Sequence, residues 1–356
     1  MRRPRPGRLA LLLALALPIV ALLGCARGER ESFTLLEVFQ GLARVVGLGP
    51  GLERIDQLIL ELLLRRALVA CGVGAALAYA GALLQGVFRN GLASPSVLGV
   101  TSGAALGATF AILVVGGYGG GLELLDQAAK HSPLLVTAGA FVGALGIAVL
   151  VAVIGGSGGH VSVPTLLLVG IAINACISGV LIAVQAWMLE HDYQVAEAIF
   201  HWSFGQLKDK GWSQVGLVWG GAAVGALALP FVSRELDLFA GGEEDAAALG
   251  VDTARVKILV LAAASLAAAS AVAVAGQIAF VGLIVPHLLR MVAGSSHRSL
   301  LPLCLLGGGL FLLATDVGQR VVLGRDLFKP GVLTSMVGGP FFLALLVQRR
   351  REVRTW

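Results

Sequence analysis

Six histidines (His131, His160, His191, His201, His287, His297), four cysteines (Cys25, Cys71, Cys176, Cys304) and five lysines (Lys130, Lys208, Lys210, Lys257, Lys329) offer the widest chemical repertoire in this 356-residue chain. Their spacing assembles none of the common reaction centres. No two cysteines are closer than 46 residues, so zinc and dithiol patterns are absent and core packing is the default reading. No histidine pair reads H-E-x-x-H, and Gly155-Gly156-Ser157-Gly158-Gly159-His160 is a short loop with the wrong geometry for a nucleophilic serine. The residues before the five lysines are Ala, Leu, Asp, Val and Phe, so the phosphate-cradling G-x-x-x-x-G-K-[ST] loop does not occur. We therefore expect no enzyme activity, no metal site and no cofactor bound by this chain.

The remaining polar residues speak of position. Glu61, Glu190 and Asp316 fall near the ends of apolar runs, which leaves little charge at membrane depth to couple transport to protons or sodium; backbone carbonyls could still bind sodium. Asp316 and Arg320 are four apart on one helix face and read as a structural ion pair. Leu22-Leu23-Gly24-Cys25 resembles a lipoprotein cleavage box, but bulky Leu23 favours an uncleaved first span. Two runs are interrupted, by Asn90-Gly91 with Ser94-Pro95-Ser96 and by Gly276 with Pro286. Irregular backbone at membrane depth is tolerated where protein or a water-filled cavity satisfies it, so Gln85, Asn90, Pro95, Gly99, Gly276 and Pro286 are candidates for a translocation path. Gly99, Gly103 and Gly107, like Gly139 and Gly143, recur every four residues and suit close helix packing.

The elements that must position these residues follow from composition. The chain is 57% hydrophobic and 13% charged, with mean hydropathy +0.89, against roughly 25% charged residues in a soluble domain. Disorder is excluded, and continuous apolar runs exclude an alternating barrel strand. Runs at 9–24, 59–86, 95–116, 134–155, 164–189, 213–232, 255–274, 278–293, 299–317 and 331–348 predict ten helical spans. The fold class is thus all-α and polytopic, a single transmembrane domain over 1–356. With the N-terminus inside, the inner segments hold 14 basic against 7 acidic residues, which puts both termini in the cytoplasm. The basic residues gather at the two ends of the chain, so a nucleic-acid partner is not expected. An outer loop contains an amphipathic stretch, Leu35 to Val46, expected to form a surface helix. An inner loop within 233–255 carries Glu243-Glu244-Asp245 after Gly241-Gly242, and Gly250 after an alanine run, the capping pattern of a short exposed helix.

Three blocks resemble the FecCD-type, BtuC-like permeases of ATP-binding-cassette importers. The first is Gly81-Ala82-Leu83-Leu84-Gln85 with Arg89-Asn90-Gly91-Leu92-Ala93-Ser94-Pro95, Leu98-Gly99-Val100 and Ser102-Gly103-Ala104. The second is Gly276 to Phe280 with Val281-Gly282-Leu283-Ile284-Val285-Pro286-His287, Arg290, His297-Arg298 and Leu301-Pro302; the third is Ala314, Asp316, Arg320, Gly331 and Gly338-Gly339-Pro340-Phe341-Phe342. The resemblance implies a permease for iron-siderophore, haem or cobalamin, working as a homodimer with two cytoplasmic ATPase subunits that hold ATP and magnesium. It also implies a periplasmic or lipid-anchored substrate-binding protein and a bacterial inner membrane. It assigns ATPase coupling to Leu238, Gly242, Glu243, Glu244, Ala247, Leu249 and Gly250. Ser162, Val163 and Pro164 correspond to a cytoplasmic gate, although Pro164 also reads as a plain helix start. Arg65 and Arg66 correspond to binding-protein docking, and His287 with Arg290 to holding the inner end of span eight against the dimer interface or ATPase, with substrate contact as the alternative. The chain departs from the family at Leu63-Leu64-Arg65-Arg66, Asn90-Gly91-Leu92 and Phe328-Lys329-Pro330-Gly331. The rival readings are a stand-alone secondary transporter or channel, and a lipid-modified binding or scaffold protein resting on Cys25.

Overall fold

Every apolar run becomes helix. The computed structural model describes residues 6–28, 32–48, 52–118, 132–156, 163–323 and 328–353. In chain order the helices are α1 (Pro6–Ala26), α2 (Leu35–Val45), α3 (Arg54–Val87), α4 (Val100–Leu113), α5 (Ser132–Gly155), α6 (Val163–His191), α7 (Tyr193–Ser203), α8 (Trp212–Ala226), α9 (Leu229–Phe239), α10 (Glu243–Ala248), α11 (Thr253–Ala275), α12 (Val281–Ala293), α13 (His297–Leu323) and α14 (Pro330–Val353). Among the described residues there is no strand, only one isolated bridge between Arg27 and Ser32. Six helices are long and apolar enough to cross a membrane, α8 with α9 makes a bent seventh, and three shorter apolar helices lie in the remaining predicted spans.

The centre is α3, in which every residue from Val69 to Val87 is buried. It is flanked by α8, α11, α12 and α13. Small residues allow this: a Cβ at Gly81 would lie 1.9 Å from the Gly282 carbonyl oxygen, and one at Gly107 would lie 2.0 Å from that of Gly139. Backbones approach this closely only where side chains are missing, and the gain is dispersion and packing rather than water release. By contrast α6 exposes Leu168, Ile171, Val180, Ile182 and Leu189, a surface suited to lipid or to another chain.

Three departures from the sequence reading have physical causes. First, α7 was not expected; Asp192 starts it by accepting from the Gln194 and Val195 amides at 3.1 and 3.2 Å, and Val195, Ala196 and Ile199 bury one face. Second, span six does not run straight, because the chain bends by 57° between α8 and α9; Pro230 opens α9, where its missing N–H costs nothing. Third, Pro286 does not break its span. Its ring removes the donor that Gly282 would have received one turn earlier, and the Gln85 side-chain amide donates to that carbonyl instead at 3.1 Å. Arg290 then donates to the Gln85 oxygen. Gln85 and Pro286 are therefore buried parts of the α3–α12 contact, and neither borders the cavity between the two interruptions.

Candidate functional site

The two sequence interruptions meet at one cavity of about 700 Å³. On one side are Ser94, Pro95, Ser96 and Thr101; on the other are Ser203, Phe204, Gln277, Phe280, Gly331, Ser335 and Met336. The first interruption is a 3-10 turn, Pro95–Leu98, capped by Gly99 at φ +76°. That left-handed value suits glycine and lets α4 start in a new direction. The turn is pinned from α6: the Asn174 side-chain amide donates to the Ser96 carbonyl at 2.9 Å, and the Ser102 hydroxyl donates to the Asn174 oxygen at 2.5 Å. The second interruption begins at Gly276, φ +72°, where a Cβ would sit 2.4 Å from the Trp202 carbonyl oxygen. Its backbone is stitched to neighbouring segments by Gln206 N–H to Ala275 O at 2.7 Å and Gly331 N–H to Phe204 O at 3.0 Å.

Hydroxyls, one carboxamide and apolar groups line this cavity, and no charged side chain does so among the described residues. It can solvate a polar solute through hydrogen bonds without holding it by charge, as a transit site requires. Of the sequence candidates, Pro95 lines the cavity, while Gly99 and Gly276 shape its walls. Asn90 does not reach it; it is exposed and its side-chain oxygen caps the Leu92 amide at 3.0 Å. Asn174 was missed, although an amide inside an otherwise apolar run was a usable signal.

Between α9 and α11, α10 stands between Gly242 and Gly250. Ala246 is buried, whereas Glu244 and Ala247 are exposed and Leu249 is 69% exposed. Glu243 has an inward task, an ion pair with buried Lys257. Beside α10, Phe231, Arg234, Leu238, Leu249 and Arg255 border a cavity of about 460 Å³. Close by, Asp237 accepts from the His297 backbone at 2.6 Å and from Ser296 at 2.8 Å, and its oxygen lies 2.8 Å from His297 Nδ1, which fastens α9 to the start of α13. His287 meets the Phe341 ring edge-on, centroids 6.1 Å apart, so α12 is also tied to α14. Val163 and Pro164 are the first two residues of α6, where a proline is tolerated; Ser162 lies outside the described residues.

The docking assignment is corrected at Arg66. Its side chain is buried and bonds Asp316 through Nε at 3.1 and 3.0 Å and through Nη2 at 2.5 Å. Arg320 reaches the other side of Asp316 at 3.0 Å and the Gly24 and Arg27 carbonyls at 2.9 and 2.7 Å. The expected Asp316–Arg320 pair is thus part of a triad joining α1, α3 and α13. A buried carboxylate between two guanidiniums is a structural element. Arg65 is half-buried, with Nε on the Glu61 carbonyl at 3.2 Å. Cys25 is 1% exposed, near the end of α1. Nearby, Arg44, Arg54, Gln57, Glu61 and Trp212 surround a cavity of about 690 Å³, and both arginines are exposed.

Residues 15–348 match the FecCD transport family. The cobalamin import system permease protein BtuC of Halobacterium salinarum is 40% identical over 295 residues, 82% of this chain and 73% of that protein. The hemin transport system permease protein HmuU of Yersinia pestis is 37% identical over 299 residues, 82% of this chain and 84% of that one. An inward-facing structure described as a metal-chelate type ABC transporter superposes with TM-score 0.78 at 28% identity, covering 96% of this chain and 99% of that one. With the helix interruptions, the charge-free cavity and the projecting α10 in place, the chain belongs to the FecCD transport family.

Proposed function

We propose that this chain is the permease of an ATP-binding-cassette importer that carries a metal chelate, of the cobalamin, haem or iron-siderophore kind, across the bacterial inner membrane. The observation that carries the reading is the convergence of both helix interruptions on one uncharged cavity within a family of permeases. Two copies would pair through the exposed face of α6, both termini would be cytoplasmic, and two ATPase subunits carrying ATP and magnesium would seat on α10 and the groove beside it. A substrate-binding protein would dock on the opposite face, where Arg44 and Arg54 are exposed and Arg65 contributes from its half-buried position. Closure of the ATPases would push α10, and the connection from α9 through Asp237 and His297 to α13 would carry the motion into the bundle. The chain itself would perform no chemistry. Reconstitution in proteoliposomes with the ATPase and loaded binding protein should give chelate uptake that stops when ATP is omitted. Uptake by the permease alone, insensitive to ATP, would support the secondary-transporter reading instead.

A further inference from the structure

Behind the wall formed by residues 202–206 and 275–277 lies a second cavity, of about 430 Å³, whose lining divides by chemistry. Ile112, Val115 and Val136 make one part apolar, while Lys210, Gln206 and Gln214 supply hydrogen-bond donors. Gln214 is 4% exposed; its oxygen accepts the Gly211 amide at 2.7 Å and caps α8, which leaves its NH2 group without an acceptor among the described residues. The Gln206 backbone is fixed on Ala275 at 2.7 Å, and its carboxamide has no partner among the described residues. Thr137 gives its proton to the Pro133 carbonyl at 2.7 Å and so does not serve as a donor to the cavity.

Lys210 stands in the loop between α7 and α8, outside the spanning helices, partly buried and with no hydrogen-bond acceptor among the described residues. Burial pushes its ammonium down to about 8, against the attraction of Asp209 and with the repulsion of Lys329. Asp209 borders the cavity but is exposed, and His201 is turned to Glu197 at 3.3 Å. A buried carboxamide with two partly buried donors beside it, none of them given an acceptor, is completed by a ligand that brings oxygen atoms and negative charge. We propose that this cavity binds an oxyanion, a carboxylate or phosphate borne on an apolar body, with Lys210 as its counter-charge and the amides of Gln206 and Gln214 as donors. The same chemistry is offered by a soluble organic carboxylate and by an anionic lipid headgroup.

The test is trace acetylation of Lys210 across pH, quantified by peptide mass spectrometry on the purified full-length permease. Without ligand the reactivity should titrate near pH 8. Benzoate should slow Lys210 labelling with half-effect at about 1–10 mM, the range of a single weak subsite, while Lys208 is unaffected and neutral benzamide has no effect. Gln214→Glu keeps the cap acceptor but replaces the donor with an anion, and should weaken protection at least about tenfold. Slower labelling in phosphatidylglycerol nanodiscs than in phosphatidylcholine nanodiscs would identify the lipid as occupant; equal rates, with benzoate protection retained, would identify the soluble anion. Labelling unchanged by both benzoate and phosphatidylglycerol, or equal protection by benzamide, would overturn the site. The readout involves no transport, so that outcome leaves the importer reading standing.

Discussion

Asp316 is the residue on which α1, α3 and α13 are registered, because all three reach it directly or through Arg320. Removing its charge leaves two guanidiniums in a buried site, a change that costs about 3–5 kcal/mol when one partner of a buried pair is lost. Asp316→Asn should therefore lower the unfolding temperature of the detergent-solubilised protein strongly, whereas Arg65→Gln, on a half-buried residue with one backbone bond, should shift it little. Equal, small shifts in both variants would show that the triad is not a structural anchor. Sequence spacing made the i to i+4 half of this triad legible. Arg66 was beyond it, since 250 residues separate it from Asp316 and nothing local distinguishes a buried arginine from an exposed one. The bond that Gln85 makes was hidden for a related reason: its partner is a carbonyl on α12 that Pro286 leaves without its helical donor.

Among the elements, α10 is the one whose sequence and surface agree most closely. Acidic residues at its start and glycine after its end define it locally, and the structure adds the division of labour between its two glutamates. Glu244 is exposed, whereas Glu243 neutralises Lys257. Glu244→Lys should reduce co-purification of the ATPase with the unfolding temperature unchanged. Glu243→Lys should also lower that temperature, because it sets two ammonium groups against each other in a partly buried place. If Glu244→Lys leaves co-purification intact, α10 is not the coupling element. Helix α7 carried a usable N-cap signal at Asp192, but eleven residues between two strong apolar runs give periodicity too short a window to stand out. The break between α8 and α9 was equally hidden, since hydropathy is blind to direction.

At the scale of the whole molecule, the cavity bounded by the two interruptions is the proposed transport path. Ser335 borders it on α14 and is exposed, so Ser335→Trp fits the folded chain while filling the space. That variant should abolish chelate uptake in proteoliposomes while unfolding temperature and ATPase association stay normal; full uptake would remove this cavity from the path. The sequence by itself determined the membrane, the ten spans, the family and the interruptions at Pro95–Gly99 and Gly276, because each depends on local composition, on proline and glycine, or on motifs contiguous in the chain. The tertiary structure decided which breaks face the same space, which charges are buried partners and which are surface, and where donors without acceptors accumulate. Those outcomes depend on which helices pack together across hundreds of residues, and a pattern of apolar runs carries almost no information about that, since lipid and a neighbouring helix solvate an apolar face equally well.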